Sequence, residues 1–175
     1  SGSNSILKVM RRRHTREEYL ETISKLKAIR PGLSISTDFI VGFPGETEKD
    51  FQDTLDLVDE VDYDESFSFI YSPRPNTTAK DLEDDVPHEV KKSRLAKLQS
   101  KLEISALGIS RRMVGQITRC LVTGVSKKDP GELQARTENN KVIIFSCMDQ
   151  NLIGSFADIE VVEAKVKSLR GALVS

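Results

Sequence analysis

Along the first 112 residues the apolar positions switch between two periods. Tyr19, Leu20, Ile23 and Leu26 recur at helical spacing, and Thr15-Arg-Glu-Glu18 ahead of them reads as a capping box that satisfies free amides at a helix start. Pro31-Gly32 ends that helix. Residues 33–41 are rich in β-branched and apolar types and close on Phe39-Ile-Val41, a run expected of a strand buried on both faces. Gly42-Phe-Pro-Gly45 breaks the strand, and Thr47 and Asp50 cap a further helix with Phe51, Leu55 and Val58 inward. A second strand is predicted over 66–71, with Phe67, Phe69 and Tyr71 on one face. After a loop with Pro73, Pro75 and Pro87, a long helix over 88–112 turns Val90, Leu95, Leu98, Leu102 and Ile109 inward. Helix, strand, helix, strand, helix implies parallel α/β units with right-handed crossovers.

From Val114 the pattern changes to short alternating runs at 116–123, 133–137, 141–145, 155–164 and 169–174, punctuated by Gly124, Asp129-Pro-Gly131, Asn139-Asn140 and Gly154. Five short strands in about sixty residues fit a small antiparallel barrel of OB type. Glu138-Asn-Asn-Lys141 suits a hairpin turn, because Asn tolerates positive φ. The reading is therefore α/β plus all-β, with domains over 1–112 and 113–175.

Composition narrows the setting. No run approaches the ~18 apolar residues of a membrane-spanning helix. Cys120 and Cys147 stand alone in no metal-ligand spacing, which predicts a reduced, cytoplasmic protein without a Cys-based metal site. The net charge of -1 conceals patches. Residues 1–30 carry eight basic side chains against three acids, 46–65 carry ten acids against Lys49, and 111–175 carry ten basic residues against seven acids. Local patches of this kind keep a polyanion partner open.

Neither a P-loop nor an H-E-x-x-H is present, and His14 and His88 read as surface residues beside helix starts. The segment Ser36-Thr-Asp-Phe-Ile-Val-Gly-Phe-Pro-Gly-Glu-Thr47 carries more. A glycine-broken turn at the carboxyl end of a parallel strand is where α/β folds place ligands, though an ordinary βα turn reads the same way. Tyr71-Ser-Pro-Arg-Pro-Asn-Thr77 ends the next strand, with Arg74 between two prolines and suited to an anion.

These segments, with Ser1-Gly-Ser-Asn, Met10-Arg-Arg-Arg-His-Thr15 and Asp84-Asp-Val-Pro87, resemble the second half of the radical-SAM domain of the methylthiotransferases. The subgroup most like it acts on tRNA, at an isopentenylated adenosine beside the anticodon. Leu121-Val-Thr-Gly-Val-Ser-Lys-Lys128, Ala135-Arg-Thr-Glu-Asn-Asn-Lys-Val142 and Ser168-Leu-Arg-Gly171 resemble a TRAM domain, an RNA-binding barrel. The resemblance implies a partial radical-SAM (β/α) barrel followed by the small barrel. It also implies a full-length enzyme using S-adenosylmethionine and two [4Fe–4S] clusters. Their cysteine motifs are not in this sequence, so the chain is expected to be a C-terminal piece, inactive and cofactor-free alone, whose partners are tRNA and the remaining N-terminal part of the same enzyme.

By that resemblance Ser1 and Ser3 lie near the ribose and methionine side of the cofactor, and Arg12 on the helix that follows. Asp38, Ile40, Val41, Gly42, Gly45 and Glu46 border the adenosyl group, with Ser72 and Arg74 at the rim. No catalytic or metal-binding residue is assigned. The RNA candidates are Lys127, Lys128, Arg136, Asn139, Asn140, Lys141 and Arg170, basic groups for phosphates and Asn for base edges. The barrel region holds two aromatics, Phe145 and Phe156; both are expected in its core, so stacking on bases is expected to be scarce. Two other readings stay open. One is a relative acting on a ribosomal protein, against which the basic 136–141 hairpin weighs. The other is a non-catalytic RNA-binding module, against which the intact capping boxes and glycine loop weigh.

Overall fold

The computed structural model describes residues 1–75 and 77–174; Asn76 of the Tyr71–Thr77 segment and Ser175 lie outside the described residues. The chain divides into two compact units, 1–105 and 106–175. The division falls inside the long helix, some seven residues before the change in hydrophobic pattern.

The first unit runs α1 (Asn4–Val9), α2 (Arg16–Ile29), β1 (Thr37–Val41), α3 (Glu48–Val61), β2 (Ser66–Ile70) and most of α4 (His88–Arg112). Both predicted capping boxes form. Thr15 accepts from the Glu18 amide and Thr47 from the Asp50 amide, while each carboxylate bonds back to the cap amide. Helix α1, six residues long, is absent from the elements expected from sequence; Ser3 caps it. β1 and β2 pair in parallel, Thr37 opposite Ser66 through Val41 opposite Ile70. The strand expected over 33–41 is thus shorter, because it pairs only along the five residues of β2. Residues ahead of it are tied down instead by Asp64, whose amide donates to the Ile35 carbonyl.

The expectation of a strand buried on both faces is corrected by the packing. Phe39 and Val41 enter a core with Ile23, Phe51, Leu57, Val58, Val61, Tyr63, Leu98 and Leu102. On the opposite face Asp38 is exposed and Ile40 half-buried, and their partners Phe67 and Phe69 are 59% and 52% exposed. Phe67 and Phe69 share a face as expected, but it is the open one. The stripe on α4 also differs. Val90 is on the outside, and the inward row is Lys91, Arg94, Leu98 and Leu102, so two cations begin it.

The second unit is a closed barrel in the order β3-β4-β5-β7-β6, formed by β3 (Ile117–Val125), β4 (Glu132–Arg136), β5 (Val142–Ser146), β6 (Phe156–Ala164) and β7 (Leu169–Leu173). All pairs are antiparallel except β5 with β7, which is parallel. The departure from a purely antiparallel barrel follows from its path. β6 leaves to close the barrel on β3, and β7 returns beside β5 in the same direction. Gly171 lies at that seam, where a Cβ would come within 2.4 Å of Ile159 and 2.8 Å of Ile143. Phe145 is in the core as expected, whereas Phe156 is 61% exposed, because its neighbours Ala157 and Ile159 set the alternation that turns it outward.

Candidate functional site

Two regions gather the residues singled out from sequence. The first is the loop pair following the carboxyl ends of β1 and β2. The loop after β1 is held from below by α4. Gly42 adopts φ +67, and a Cβ there would lie 2.3 Å from Cγ of Lys91. The close approach this glycine permits is therefore to a lysine stem. Lys91 ion-pairs with Asp84 and lies 5.5 Å from the Tyr71 ring centroid. Arg94 donates to the Glu46 carbonyl and to Glu46 Oε2, both at 2.9 Å, reaches Glu48 at 3.2 Å, and sits over Phe51. Glu46 Oε2 also accepts from the Gly42 amide at 2.7 Å. The loop after β2 is pinned to the same place: Asp85 accepts from the Gly45 amide at 2.7 Å, and the Tyr71 hydroxyl donates to the Ala79 carbonyl. Burial pushes the Glu46 carboxyl above its usual range, against the Gly42 amide and Arg94, which favour its charged form.

This geometry sorts the predicted cofactor residues. Val41 is fully buried in the core on the face away from Asp38 and Ile40, so a contact between its side chain and a ligand on the open face is not what the fold provides. Glu46 is buried and committed to Arg94. Ser3 is buried and donates to Asp50. The amide of Gly2 donates to Thr54, and a Cβ at Gly2 would lie 2.3 Å from the Asp53 carbonyl, so the Ser-Gly-Ser segment docks tightly on α3. Ile40 packs against the small cluster of Ile6, Phe43 and Tyr71. Gly45, at φ +79 with open space where a Cβ would be, stays exposed, as do Ser72 and Arg74. Ser1, Arg12 and Asp38 do come together. They border a cavity of about 290 Å³ with Arg16, Tyr63 and His14. His14 was expected on a plain surface. Phe67 and Phe69, beside Asp38 and Ile40 on the open face, and the buried pair Lys91 and Arg94 were missed. The spacing 91, 94, 98, 102 would have revealed the last two, had cations been allowed in an inward stripe.

The chain's own cysteines do not suit an iron–sulfur cluster. Cys120 is buried in the barrel core and burial pushes its thiol up to about 11, whereas a cluster ligand is a thiolate. Among the described residues no group of three His, Cys, Asp or Glu is placed to hold a metal ion, and no helix is long and apolar enough to cross a membrane.

The second region is the barrel surface. Lys127 and Lys128 lie in the turn before β4, and Asn139, Asn140 and Lys141 in the turn after it, with Arg136 as its last residue. β4 spans five residues, so the two clusters stand at opposite ends of a strand about 17 Å long. Arg136 donates to the Asn140 carbonyl at 2.7 Å, and Asn140 takes φ +63, as the turn reading required. Arg170 lies between the clusters and ion-pairs with Glu132 at 2.8 Å. Lys165 and Lys167, in the turn between β6 and β7, are further exposed cations absent from the predicted set.

Residues 1–58 match the Radical SAM superfamily and residues 111–174 match the TRAM domain. Over 174 residues, 99% of the chain, it is 58% identical to a tRNA-2-methylthio-N(6)-dimethylallyladenosine synthase of Pseudomonas savastanoi pv. phaseolicola. It is 56% and 57% identical over the same share to proteins of that name from Saccharophagus degradans and Pseudomonas aeruginosa. The chain spans about two fifths of the length of these curated relatives. By identity along its whole length and by its two matched domains, the chain belongs to the radical-SAM methylthiotransferase family, corresponding to the C-terminal part of its members.

Proposed function

We propose that this chain supplies one side of the S-adenosylmethionine pocket and the RNA grip of a tRNA methylthiotransferase. That enzyme adds a methylthio group to an isopentenylated adenosine beside the anticodon, in the cytoplasm. One observation carries the reading: a single chain joins clamped loops at the carboxyl ends of parallel strands to a closed barrel with basic turns at both ends of β4. Ligands of parallel α/β sheets sit at such strand ends, and OB-type barrels bind oligonucleotides across the strand face between turns.

Asp38 on the open face is placed to accept hydroxyl or ammonium donors, and Phe69 and Ile40 beside it to meet a flat ring. S-adenosylmethionine, bound with iron–sulfur clusters held by other parts of the protein, supplies the radical chemistry and the methyl group. The part of this chain is to orient: Gly42 and Glu46 fix the loop, and Gly45 leaves backbone open to a ligand. On the barrel, Lys127, Lys128, Arg136, Lys141 and Arg170 would contact phosphates, and Lys165 and Lys167 extend that set.

The test is titration of labelled tRNA with this chain at two salt concentrations, beside the Lys127→Ala/Lys128→Ala double variant. Each phosphate contact contributes roughly 0.7–0.9 to the slope of log affinity against log salt. The variant should therefore bind more weakly, with a slope shallower by about one to two. Salt-independent binding, or a variant equal to the parent, would overturn the RNA grip.

A further inference from the structure

The exposed ring of Phe156 lies outside every functional assignment made from the sequence. β3 alternates strictly over its first half: Cys120 and Val122 are fully buried, so Ile117, Arg119 and Leu121 point outward. Leu121 is opposite Phe156 on one side and opposite Arg136 on the other. Phe156, Leu121 and Arg136 therefore form one cross-strand row on the outer surface, with about 10 Å between its ends. Arg119, two residues from Leu121, faces Asp158 in register, yet its guanidinium lies over the Phe156 ring, 4.9 Å from the centroid. An apolar platform of Phe156 and Leu121 thus has one guanidinium stacked on it and a second at its edge. Asp158 and Glu160 follow along β6, away from the Arg136 row, so positive charge gathers at the end of the face that adjoins the 137–141 hairpin.

We infer that Phe156 and Arg119 form a stacking platform for an unpaired RNA base, whose adjoining phosphates run along Arg136 toward the hairpin. The chemistry is general. Every base offers a π face, an arginine plane stacked on a ring extends the platform, and a neighbouring cation holds the backbone. A protein partner is less well matched, since the apolar area is narrow and bordered by guanidinium groups suited to phosphates. The inference rests on the reading of the barrel as an RNA grip and names a subsite within it.

The experiment uses this chain with single-stranded RNA and with tRNA, the oligonucleotide carrying 2-aminopurine, whose fluorescence falls when it stacks. Phe156→Ala should weaken binding about tenfold, within the roughly five- to 150-fold that a lost base–aromatic stack produces, and should abolish the quenching. The salt slope should stay at the parent value, because no phosphate contact is lost. Phe156→Tyr should retain affinity and quenching, and Phe156→Leu, which keeps apolar area without a ring, should behave like the alanine variant. The position is exposed, so all three should melt with the parent barrel. A Phe156→Ala variant with parental affinity and quenching, while Lys127→Ala/Lys128→Ala still weakens binding, would remove the platform and leave the RNA grip standing. Loss of self-association in Phe156→Ala with RNA affinity unchanged would assign the face to protein instead. A parent chain that binds no RNA would overturn both.

Discussion

In the barrel each of the five strands has two neighbours, and nine core side chains from Cys120 to Leu169 are at most 1% exposed. In the α/β unit, among the described residues, two strands pair only with each other, while Phe67 and Phe69 stand more than half exposed. The barrel is held by burial and a closed ladder. The α/β unit has its main core on one side of its sheet, and a set of charged clamps ties its loops together at the strand ends. Closure removes sheet edges altogether, whereas an open pair leaves main-chain donors and acceptors ready for another strand. Cohesion is thus placed where each unit needs it: in packing for the barrel, and in the Lys91–Asp84, Arg94–Glu46 and Asp85–Gly45 contacts for the strand-end loops.

The largest effect should come from breaking the barrel by packing alone. Phe145→Ala removes a fully buried ring from the cluster with Leu133, Ile143 and Leu169 and should cost about 3–5 kcal/mol. Hydrogen exchange followed residue by residue should show protection lost throughout β3 to β7 and kept in α3. Equal loss in both units would mean that they do not hold together by separate means.

The counterpart in the α/β unit is electrostatic. Arg94→Met leaves the Glu46 carboxylate buried without its cation, a change that costs about 3 kcal/mol or more when one partner of a buried pair is removed. Here exchange should rise at Gly42, Gly45 and the start of α3, with the barrel unaffected. Adding Glu46→Leu to Arg94→Met should restore part of the loss, because the orphaned charge is then gone. A double variant as unstable as the sum of the two singles would show that the pair acts by shape rather than by charge.

Legibility from sequence followed the same division. The barrel was readable because alternation, turn residues and short spacing all agree, and Glu138-Asn-Asn-Lys141 folds as the hairpin its Asn residues suggest. Its parallel β5–β7 seam was not, since no local pattern encodes which neighbour a returning strand takes. In the α/β unit the capping boxes and α4 were legible from local spacing. What failed was any inference that equated inward with apolar. Lys91 and Arg94 point in because carboxylates and carbonyls meet them there, and Phe67, Phe69 and Phe156 point out because strand alternation leaves them no core to enter. Glu46, which the resemblance sets beside the adenosyl group, is clamped to α4 by Arg94, a partner that its own sequence neighbourhood does not announce. Residue type suggested the chemistry of these groups; only the register of the strands and the phase of the helix supplied their direction.

Two glycines three residues apart sharpen the comparison on a smaller scale. Gly42→Ala meets both a positive φ and the Lys91 stem, so the clamp itself must give way; about 2–4 kcal/mol is expected from backbone conformation and overpacking together. Gly45→Ala meets only the positive φ, with open space around it, and should cost about 1–2 kcal/mol. Urea unfolding of the two variants measures the difference. Equal costs would mean that Lys91 moves aside freely and does not fix the loop.

The smallest expected effect is also the one whose sign is set by pH. Asp50 is buried, which by itself raises a carboxyl pKa. The hydroxyls of Ser3, Ser5 and Thr47 and the Thr47 amide all donate to it, and together they hold its carboxyl far below the usual range. With the folded value below the unfolded 3.8, the unfolded chain binds more protons in the interval between them. The stability Asp50 provides is therefore complete above the unfolded value and is lost as pH falls through that interval toward the folded one. Asn at this position keeps an acceptor but loses the charge at the start of α3, so Asp50→Asn should cost about 1–2 kcal/mol near neutral pH. Glu46 titrates with the opposite sign, because its folded value is raised and its contribution fades as pH rises. It is present in both proteins, so the difference between parent and variant isolates Asp50. That difference, measured by urea unfolding at a series of pH values, should shrink as the medium is acidified below 3.8. A deficit that stays constant across the series would show that the Ser3–Ser5–Thr47 network is held by geometry and owes nothing to the charge.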